Sequence, residues 1–447
     1  MRELLLQAAQ ADPSRPAVVA ESEVASWAEL AALAEAYARV LAPLRGARVG
    51  VRLAGSAGCW AALAALDAVD AAVVLLDAGL GPDACHALAG DLGLFAIVTA
   101  GGAGGRPPEI DPAGAPPPPG PPPHPRSVTI LTSGTTGRPK PVRHTWESLA
   151  RPVRRSGGAP GTWLVAYRPS LYAGLQVALQ ALAEGGTLVV PPRGAPPAAV
   201  ARLMAEHRVD CASGTASWWR RLLLFAGAEV ARAPLRQVTL GGELVDQQVL
   251  DGLARLFPSA RIVHVYATTE LGRCFSVADR RAGFPAAYLG AASPDGVELR
   301  VVDGELHVRS VNAVPGDGAP GAQPRGALVA TGDLVEVRGD RVHFVGRRSD
   351  VINVGGNKVH PAEVERVLRS VPGLGDVRVY ARPSSIAGEL VACDVVPAPG
   401  ADPAALRAEI ARRCAAGLLA FQRPRVIQVV GEIAVSASGK VVRRAPR

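Results

Sequence analysis

The chain has 447 residues, 48% of them hydrophobic and 20% charged, with a formal net charge of +8. That length is too great for one hydrophobic core and points to two or three domains. The basic residues are scattered rather than clustered, which argues against a nucleic-acid surface, while a mildly positive balance suits an anionic small-molecule substrate.

Residues 1–100 alternate helix and strand. Leu30, Leu33, Ala34, Tyr37 and Leu41 recur at helical spacing and predict a helix over 29–44. Residues 48–53 read as a strand, 57–69 as a helix, 71–76 as a buried strand and 95–99 as another. That order predicts a parallel sheet with helices on its faces. The apolar stretch 59–80 is broken by Asp67, Asp70 and Asp77 and does not read as a membrane span. The apolar run in residues 1–7 is too short for a secretory leader. Residues 101–126 are rich in glycine and proline, with proline runs at 116–119 and 121–123. They are expected to form an exposed, partly polyproline linker with no core element, or else a proline-rich ligand for a partner domain.

Next comes a short apolar run, 128–131, of the kind that forms a buried strand. Thr132, Ser133, Gly134, Thr135, Thr136 and Gly137 follow, then Pro139 and Lys140. Glycines let a backbone approach a ligand closely. Successive N–H groups and hydroxyls make a nest for phosphate oxygens, and Lys140 adds a point charge within reach. A Walker A loop has Ser or Thr directly after Gly-Lys, whereas Lys140 stands between Pro139 and Pro141. Taken alone, the run would more simply be a surface turn.

The alternation continues to about 290, with strands over 187–190, 235–240 and 262–266 and a helix over 198–207. The second strand runs into Gly241, Gly242 and Glu243. The third ends in Tyr266, Ala267, Thr268, Thr269 and Glu270. Positions just past the C-terminal ends of parallel strands are where an open α/β sheet places its site. From 296 the pattern shortens: segments 297–302, 305–309, 335–338 and 342–345, with turns at Asp303-Gly304 and Gly339-Asp340, predict a small antiparallel subdomain. The last hundred residues read as an α+β lobe. A helix starts at His360-Pro361 with acids in its first turn, strands follow over 377–381 and 390–396, another helix starts at Asp402-Pro403, and a strand covers 425–430.

Of 48 basic residues only Lys140, Lys358 and Lys440 are lysines, leaving 45 arginines (48 less 3). A lysine kept against such a bias marks a place that needs a compact ammonium. Six cysteines without CxxC spacing read as reduced, mostly buried thiols of a cytosolic protein. The histidines form no zinc pattern.

The order of strand, hydroxyl-glycine loop and Pro-Lys resembles the signature loop of the adenylate-forming superfamily. That family holds the acyl-CoA synthetases, the adenylation domains of peptide synthetases and the beetle luciferases. Pro141 stands where the family has glycine. Four further segments resemble the family in order and rough spacing, so the resemblance covers about 127–443. Tyr266 to Glu270 resembles Tyr-Gly-x-Thr-Glu, with Ala267 for the glycine. Thr331-Gly332-Asp333 matches Thr-Gly-Asp. Gly346-Arg347 through Ser349-Asp350, Gly355-Gly356 and Lys358 to Glu363 and Glu365 matches the longest family motif. A β-turn and a capped helix would account for that helix but not for Gly346-Arg347 or Gly355-Gly356. Ser436 to Arg443 resembles the closing Gly-Lys motif.

The resemblance implies an α/β fold. A large N-terminal domain of parallel and mixed sheets flanked by helices, with a small β subdomain, would cover 1–346. A hinge at 347–349, centred on Ser349, would lead to a small mobile α+β lid over 350–447 that carries Lys440. It implies two half-reactions: a carboxylate attacks the α-phosphate of ATP, and the thiol of CoA, or of a carrier protein's phosphopantetheine, then takes the acyl group. By resemblance, Thr132 to Gly137 and Lys140 would hold phosphates, with Gly241, Gly242 and Glu243 also at the nucleotide. Tyr266 would pack on the adenine, Thr269 touch phosphate, Glu270 hold Mg²⁺, and Asp333 and Arg347 meet the ribose. Lys440 would bridge carboxylate and α-phosphate, and Gly355 and Gly356 would line the thiol entrance. Tyr172, Gly174, Trp218, His264 and Arg273 are candidates for the acid pocket. Residues 167–174 lack the aspartate of the amino-acid-activating branch, which favours an aryl or short acyl acid. Transfer to a carrier protein or another nucleophile, with activation of an amino acid or of a non-carboxylate oxyanion included, is one alternative, and a non-catalytic nucleotide-binding homologue is another. No nucleic-acid or membrane partner is expected.

Overall fold

The structure is a computed structural model that describes residues 1–21, 23–101, 106–113, 124–133, 139–154, 158–290, 292–293, 296–314, 326–384, 388–435 and 441–443. Two large sheets dominate the first 280 residues. A six-stranded sheet runs, in spatial order, Glu109–Pro112, Ala96–Thr99, Arg48–Leu53, Ala72–Asp77, Ser127–Ser133 and Pro139–Thr145. Its four central strands are parallel and its two edges antiparallel. An eight-stranded sheet runs Gly272–Val277, Arg261–Thr268, Gln237–Gly241, Cys211–Gly214, Thr162–Val165, Thr187–Val190, Pro16–Ala20 and Glu23–Ser26, again parallel except at its edges.

Helices Trp27–Val40, Ala57–Ala68 and Tyr172–Glu184 share one hydrophobic cluster with Val49, Val51 and Val73 of the first sheet and Val18, Val165 and Leu188 of the second. Helix Ala57–Ala68 is apolar on every side except at Asp67 near its end, which pairs with the chain's N-terminal ammonium and Arg126, and it is buried from Ala57 to Asp67 as a helix with so little polar surface must be. Its alanines keep it slim enough for this place. Helix Trp27–Val40 starts at a capping box in which Ser26 and Glu29 each accept from the other's backbone N–H. The helix expected over 29–44 stops at Val40. Ala42–Leu44 is a 3₁₀ turn containing Pro43, which cannot continue an α-helix.

The linker reading of 101–126 needs correction. Glu109–Pro112 pairs antiparallel with Ala96–Thr99, and the Tyr37 hydroxyl donates to the Arg106 carbonyl at 2.7 Å. The segment is an exposed edge strand, a position that tolerates proline. The two proline runs lie outside the described residues.

A five-stranded antiparallel sheet follows, in the order Phe284–Pro285, Arg341–Arg347, Val329–Arg338, Glu305–Ser310 and Val297–Val302. Thr331-Gly332-Asp333 lies inside its strand Val329–Arg338 rather than in a turn between strands. The C-terminal lobe has its own sheet, built from Asn357–Val359, Ile352–Val354, Gly388–Pro397 and Leu374–Ser384, with Val426–Val429 parallel to Gly388–Pro397. Helices Pro361–Leu368 and Pro403–Gly417 pack on it through a separate cluster that includes Val364, Leu368, Val379, Cys393 and Ile410. No helix among the described residues is long and apolar enough to cross a membrane.

Candidate active site

Strands Gln237–Gly241 and Arg261–Thr268 run side by side, with Gly241 opposite Val265. Their C-terminal ends therefore deliver Gly242-Glu243 and Thr269-Glu270 to the same edge of the sheet. The Tyr266 ring packs against Phe275 and Phe344, each 5.2 Å away between centroids. Its hydroxyl donates to Asp333 Oδ2 at 2.5 Å, and the other oxygen of Asp333 accepts from Arg347 Nε at 2.9 Å. Burial, and then the Asp333 carboxylate, push the phenol pKa up, so Tyr266 stays a donor.

Asp333 sits on a kink that the sequence does not announce. Gly332 has φ +77°, a conformation that favours glycine. Its N–H donates to Glu305 Oε1 at 2.7 Å, while the Thr331 hydroxyl donates to the Leu306 carbonyl at 2.7 Å. The second oxygen of Glu305 accepts from Arg348 at 2.6 Å. The Gly332 N–H, with Arg348 assisting against burial, holds the Glu305 carboxyl below its ordinary value. Glu305 thus shapes the strand that presents Asp333, and only its place opening a short strand could have drawn attention to it.

Thr132 and Lys140 pair across the hairpin of Ser127–Ser133 and Pro139–Thr145, with the Thr132 hydroxyl donating to the Lys140 carbonyl at 3.2 Å. Lys140 is exposed. Gly134, Thr135, Thr136, Gly137 and the side chain of Ser133 lie outside the described residues. The strand leaving the hairpin carries His144, which sequence reasoning missed. Its Nε2 is 2.9 Å from the Thr269 carbonyl and its Nδ1 is 3.3 Å from Ser148 Oγ. A carbonyl can only accept, so Nε2 carries the hydrogen. Burial pushes the imidazole down to about 4, against the pull of the Thr269 carbonyl. His144 is therefore neutral at neutral pH, and it ties the loop hairpin to the turn carrying Thr269 and Glu270. The Glu270 carbonyl accepts from the Val314 N–H at 3.0 Å, which holds the same turn from the other side.

Glu243 is engaged twice. Oε2 accepts from the N–H and hydroxyl of Ser217 at 2.9 and 2.6 Å, and Oε1 accepts from the Val441 N–H at 2.7 Å. The carboxylate so joins the start of helix Ala216–Val230 to the residue that follows Lys440. Lys440 itself lies outside the described residues. Next to this contact is a cavity of about 440 Å³, walled by Tyr167, Trp218 and Phe225 from the core and by Asp376 and Ile433 from the C-terminal lobe.

Of the five candidates for the acid pocket, Trp218 lines that cavity. Tyr172 is buried with its ring 5.6 Å from that of His144, and burial pushes its pKa up. A methyl at Gly174 would lie 2.1 Å from the Arg168 carbonyl oxygen, so close backbone packing accounts for this glycine. His264 is buried, with Nε2 2.8 Å from the Gly283 carbonyl, and burial lowers its pKa. Arg273 lies opposite Ala267 at the hairpin that follows Tyr266. Ser349 sits in the 3₁₀ turn Arg348–Asp350 and donates to Asp350 at 2.9 Å. Gly355 and Gly356 form the two-residue connection between Ile352–Val354 and Asn357–Val359, with φ +55° and +88°. A tight hairpin of this kind requires positive φ at both positions. Contrary to the sequence argument, the turn alone explains both glycines.

The chain matches the AMP-binding enzyme family over residues 5–332 and the AMP-binding enzyme C-terminal domain over 363–440. It is 30% identical over 341 residues to a probable 2-succinylbenzoate–CoA ligase of Mycobacterium tuberculosis, covering 71% of this chain and 83% of that protein. It is 27% identical over 365 residues to surfactin synthase subunit 1 of Bacillus subtilis (strain 168), which is 70% of this chain but only 10% of that relative's length. In fold it is similar to an anthranilate CoA ligase in complex with anthranoyl-AMP, with TM-score 0.80 at 18% identity, over 98% of this chain and 95% of that one. With the family match reaching from the first helix to the strand that bears Asp333, and a second match over the lobe that docks on it, the chain belongs to the AMP-binding enzymes of the adenylate-forming superfamily.

Proposed function

We propose that the protein is an AMP-forming acid–thiol ligase that activates an aryl or short acyl carboxylic acid and transfers it to CoA. The observation behind this reading is convergence. Segments far apart in sequence are hydrogen-bonded into one rim through His144–Thr269, Tyr266–Asp333–Arg347 and Glu243–Val441. The aromatic wall of Tyr167, Trp218 and Phe225 supports the choice of acid, as does similarity to a CoA ligase.

The residues present fit ATP and Mg²⁺. Asp333 offers carboxylate oxygens for ribose hydroxyls, and Arg347 beside it fixes their orientation. Mg²⁺ is commonly held by one or two carboxylates plus substrate phosphates and water, not by an all-protein cage. Among the described residues no group of three or more acids, histidines or cysteines could hold a metal, whereas Glu270 supplies one carboxylate at the right strand end. When bound, the ion would neutralise phosphate charge.

In the first step the substrate carboxylate oxygen bonds to the α-phosphorus and the bond to pyrophosphate breaks. Positioning and charge neutralisation dominate such chemistry. Lys140 and the loop hold the leaving phosphates, and Lys440 holds the carboxylate against the α-phosphate. In the second step the thiol sulfur bonds to the carbonyl carbon, AMP leaves, and the thiol proton passes to solvent. The lobe beyond 347–349 turns between the two steps, with Gly355-Gly356 then facing the thiol. A carrier-protein thiol is the second reading, supported by the similarity to a peptide synthetase subunit.

The deciding experiment measures pyrophosphate release over a panel of aryl, acyl and amino acids. It is run alone, with CoA, and with a phosphopantetheinylated carrier protein. Release with an aryl or short acyl acid and thioester formation on CoA is the expected result. No release with any acid would leave a nucleotide-binding protein without ligase activity.

A further inference from the structure

We propose that Asp246 and Arg369 are the centre of an ion-pair latch that seats the C-terminal lobe over the cleft, and that both are positioning residues for adenylate formation. The kinetic part of this inference rests on the two-step reading above; the structural part does not.

The core and the lobe have separate hydrophobic clusters, and charged side chains cross the ground between them. Arg220, on helix Ala216–Val230, donates to Asp246 at 2.7 Å. Asp246 caps helix Gln247–Leu256 by accepting from the Val249 N–H at 3.0 Å. From the lobe, Arg369 approaches the same Asp246 oxygen at 3.6 Å and pairs with Glu365 at 3.2 Å. Glu365 in turn accepts both terminal nitrogens of Arg443 at 2.6 and 2.8 Å. The result is an alternating chain, Arg220–Asp246–Arg369–Glu365–Arg443. It runs from the core to the tail segment that follows Lys440, and no side chain in it is more than 24% exposed. A second crossing joins Arg220 to Asp376 of the lobe at 3.8 Å. Docking is close here, because a methyl at Gly375 of the lobe would lie 2.6 Å from Leu224 of the core. The Gln248 amide also donates to the Arg369 carbonyl at 3.3 Å.

Asp246 is the carboxylate that a core arginine and a lobe arginine share, beside the Arg221–Glu432 pair at 2.8 Å, which also joins core and lobe. Removing one partner of a buried ion pair leaves the other uncompensated. Without the Asp246 charge, Arg220 and Arg369 lose the carboxylate between them and are left with Asp376 at 3.8 Å and Glu365 at 3.2 Å, and each already has a buried Nε with no hydrogen-bond partner. Separating the lobe from the core would return both guanidinium groups to water. The penalty therefore falls on the docked lobe and not on the fold of either part. Burial pushes the Asp246 carboxyl up, but Arg220 and Arg369 outweigh it and keep it ionised.

The test is Asp246→Asn, which removes the charge and keeps an amide oxygen able to cap the helix. Arg369→Ala removes the lobe's side of the contact and guards against a folding failure of the first variant. Dyes on Val40→Cys and Leu419→Cys, both exposed positions, report the separation of core and lobe by energy transfer in the full chain. The native cysteines are all buried, so labelling is selective. Both variants should shift the population toward longer separation. Adenylate formation should slow by ~10-fold, the scale of a typical coupling free energy, while thioester formation from preformed acyl-adenylate keeps its wild-type rate. Arg369→Lys should recover part of the loss. An unchanged separation and an unchanged ratio of the two half-reactions would overturn the latch, as would equal slowing of both half-reactions. If wild-type protein adenylates no acid, the ligase reading fails and the energy-transfer distances alone decide the latch.

Discussion

Acid should unseat His144, and the structure sizes the effect. The residue is 2% exposed, and burial holds it at about 4 against an ordinary 6.5. Between those values the unfolded chain binds a proton that the folded protein refuses. Stability is therefore fully present well above pH 6.5, falls as the pH drops through it, and levels off below 4. A gap of roughly two and a half pH units corresponds to ~3 kcal/mol in total. At pH 5.5, where the unfolded imidazole is mostly charged and the folded one is not, the loss is ~1.4 kcal/mol. His144→Gln retains an amide that can donate to the Thr269 carbonyl and has no proton to gain. A chain with several cores need not unfold in one step, so the useful quantity is the stability difference between wild type and variant at pH 7 and at pH 5.5. That difference should narrow by ~1.2 kcal/mol, since ~0.2 kcal/mol is already lost at pH 7, and the KM for ATP should rise in acid for wild type more than for the variant. Parallel pH profiles for the two proteins, or an NMR titration placing His144 near 6.5, would refute the reasoning.

Asp333→Asn removes the charge that Arg347 pairs with. It should raise the KM for ATP by ~10-fold, the scale of a hydrogen bond to a charged group, with little change in melting temperature. An unaltered KM would take Asp333 out of the nucleotide site. Lys440→Ala should slow acyl-adenylate formation by ~10²–10³, as loss of one preorganised charge does, and spare thioester formation from preformed adenylate. Equal slowing of both steps would remove the turning lobe from the mechanism. Gly174→Ala forces a methyl to 2.1 Å from a backbone oxygen that cannot rotate aside. It should cost ~2 kcal/mol, seen as a lower melting temperature, and a variant of wild-type stability would return Gly174 to the list of pocket residues.

What the sequence by itself determined about this protein was whatever a short window contains. Strands Arg48–Leu53, Thr187–Val190 and Val297–Val302 coincide with their predicted ranges, because burial on a sheet imposes its own pattern on consecutive residues. The strand-end segments 241–243 and 266–270 were legible for the same reason, as was the order of the family motifs. What tertiary structure alone decided was which groups meet. His144 reaches Thr269 across 125 positions, and Glu243 reaches Val441 across 198. Glu109–Pro112 became a strand because Ala96–Thr99 offered an open edge, not because its own residues favour one. Gly174 and His264 looked like pocket residues by position, yet one meets a neighbouring carbonyl and the other bonds a buried one. Composition and periodicity record how a residue relates to its near neighbours along the chain. A hydrogen bond or ion pair needs a partner at about 3 Å, and at these separations in sequence only the packed fold supplies it.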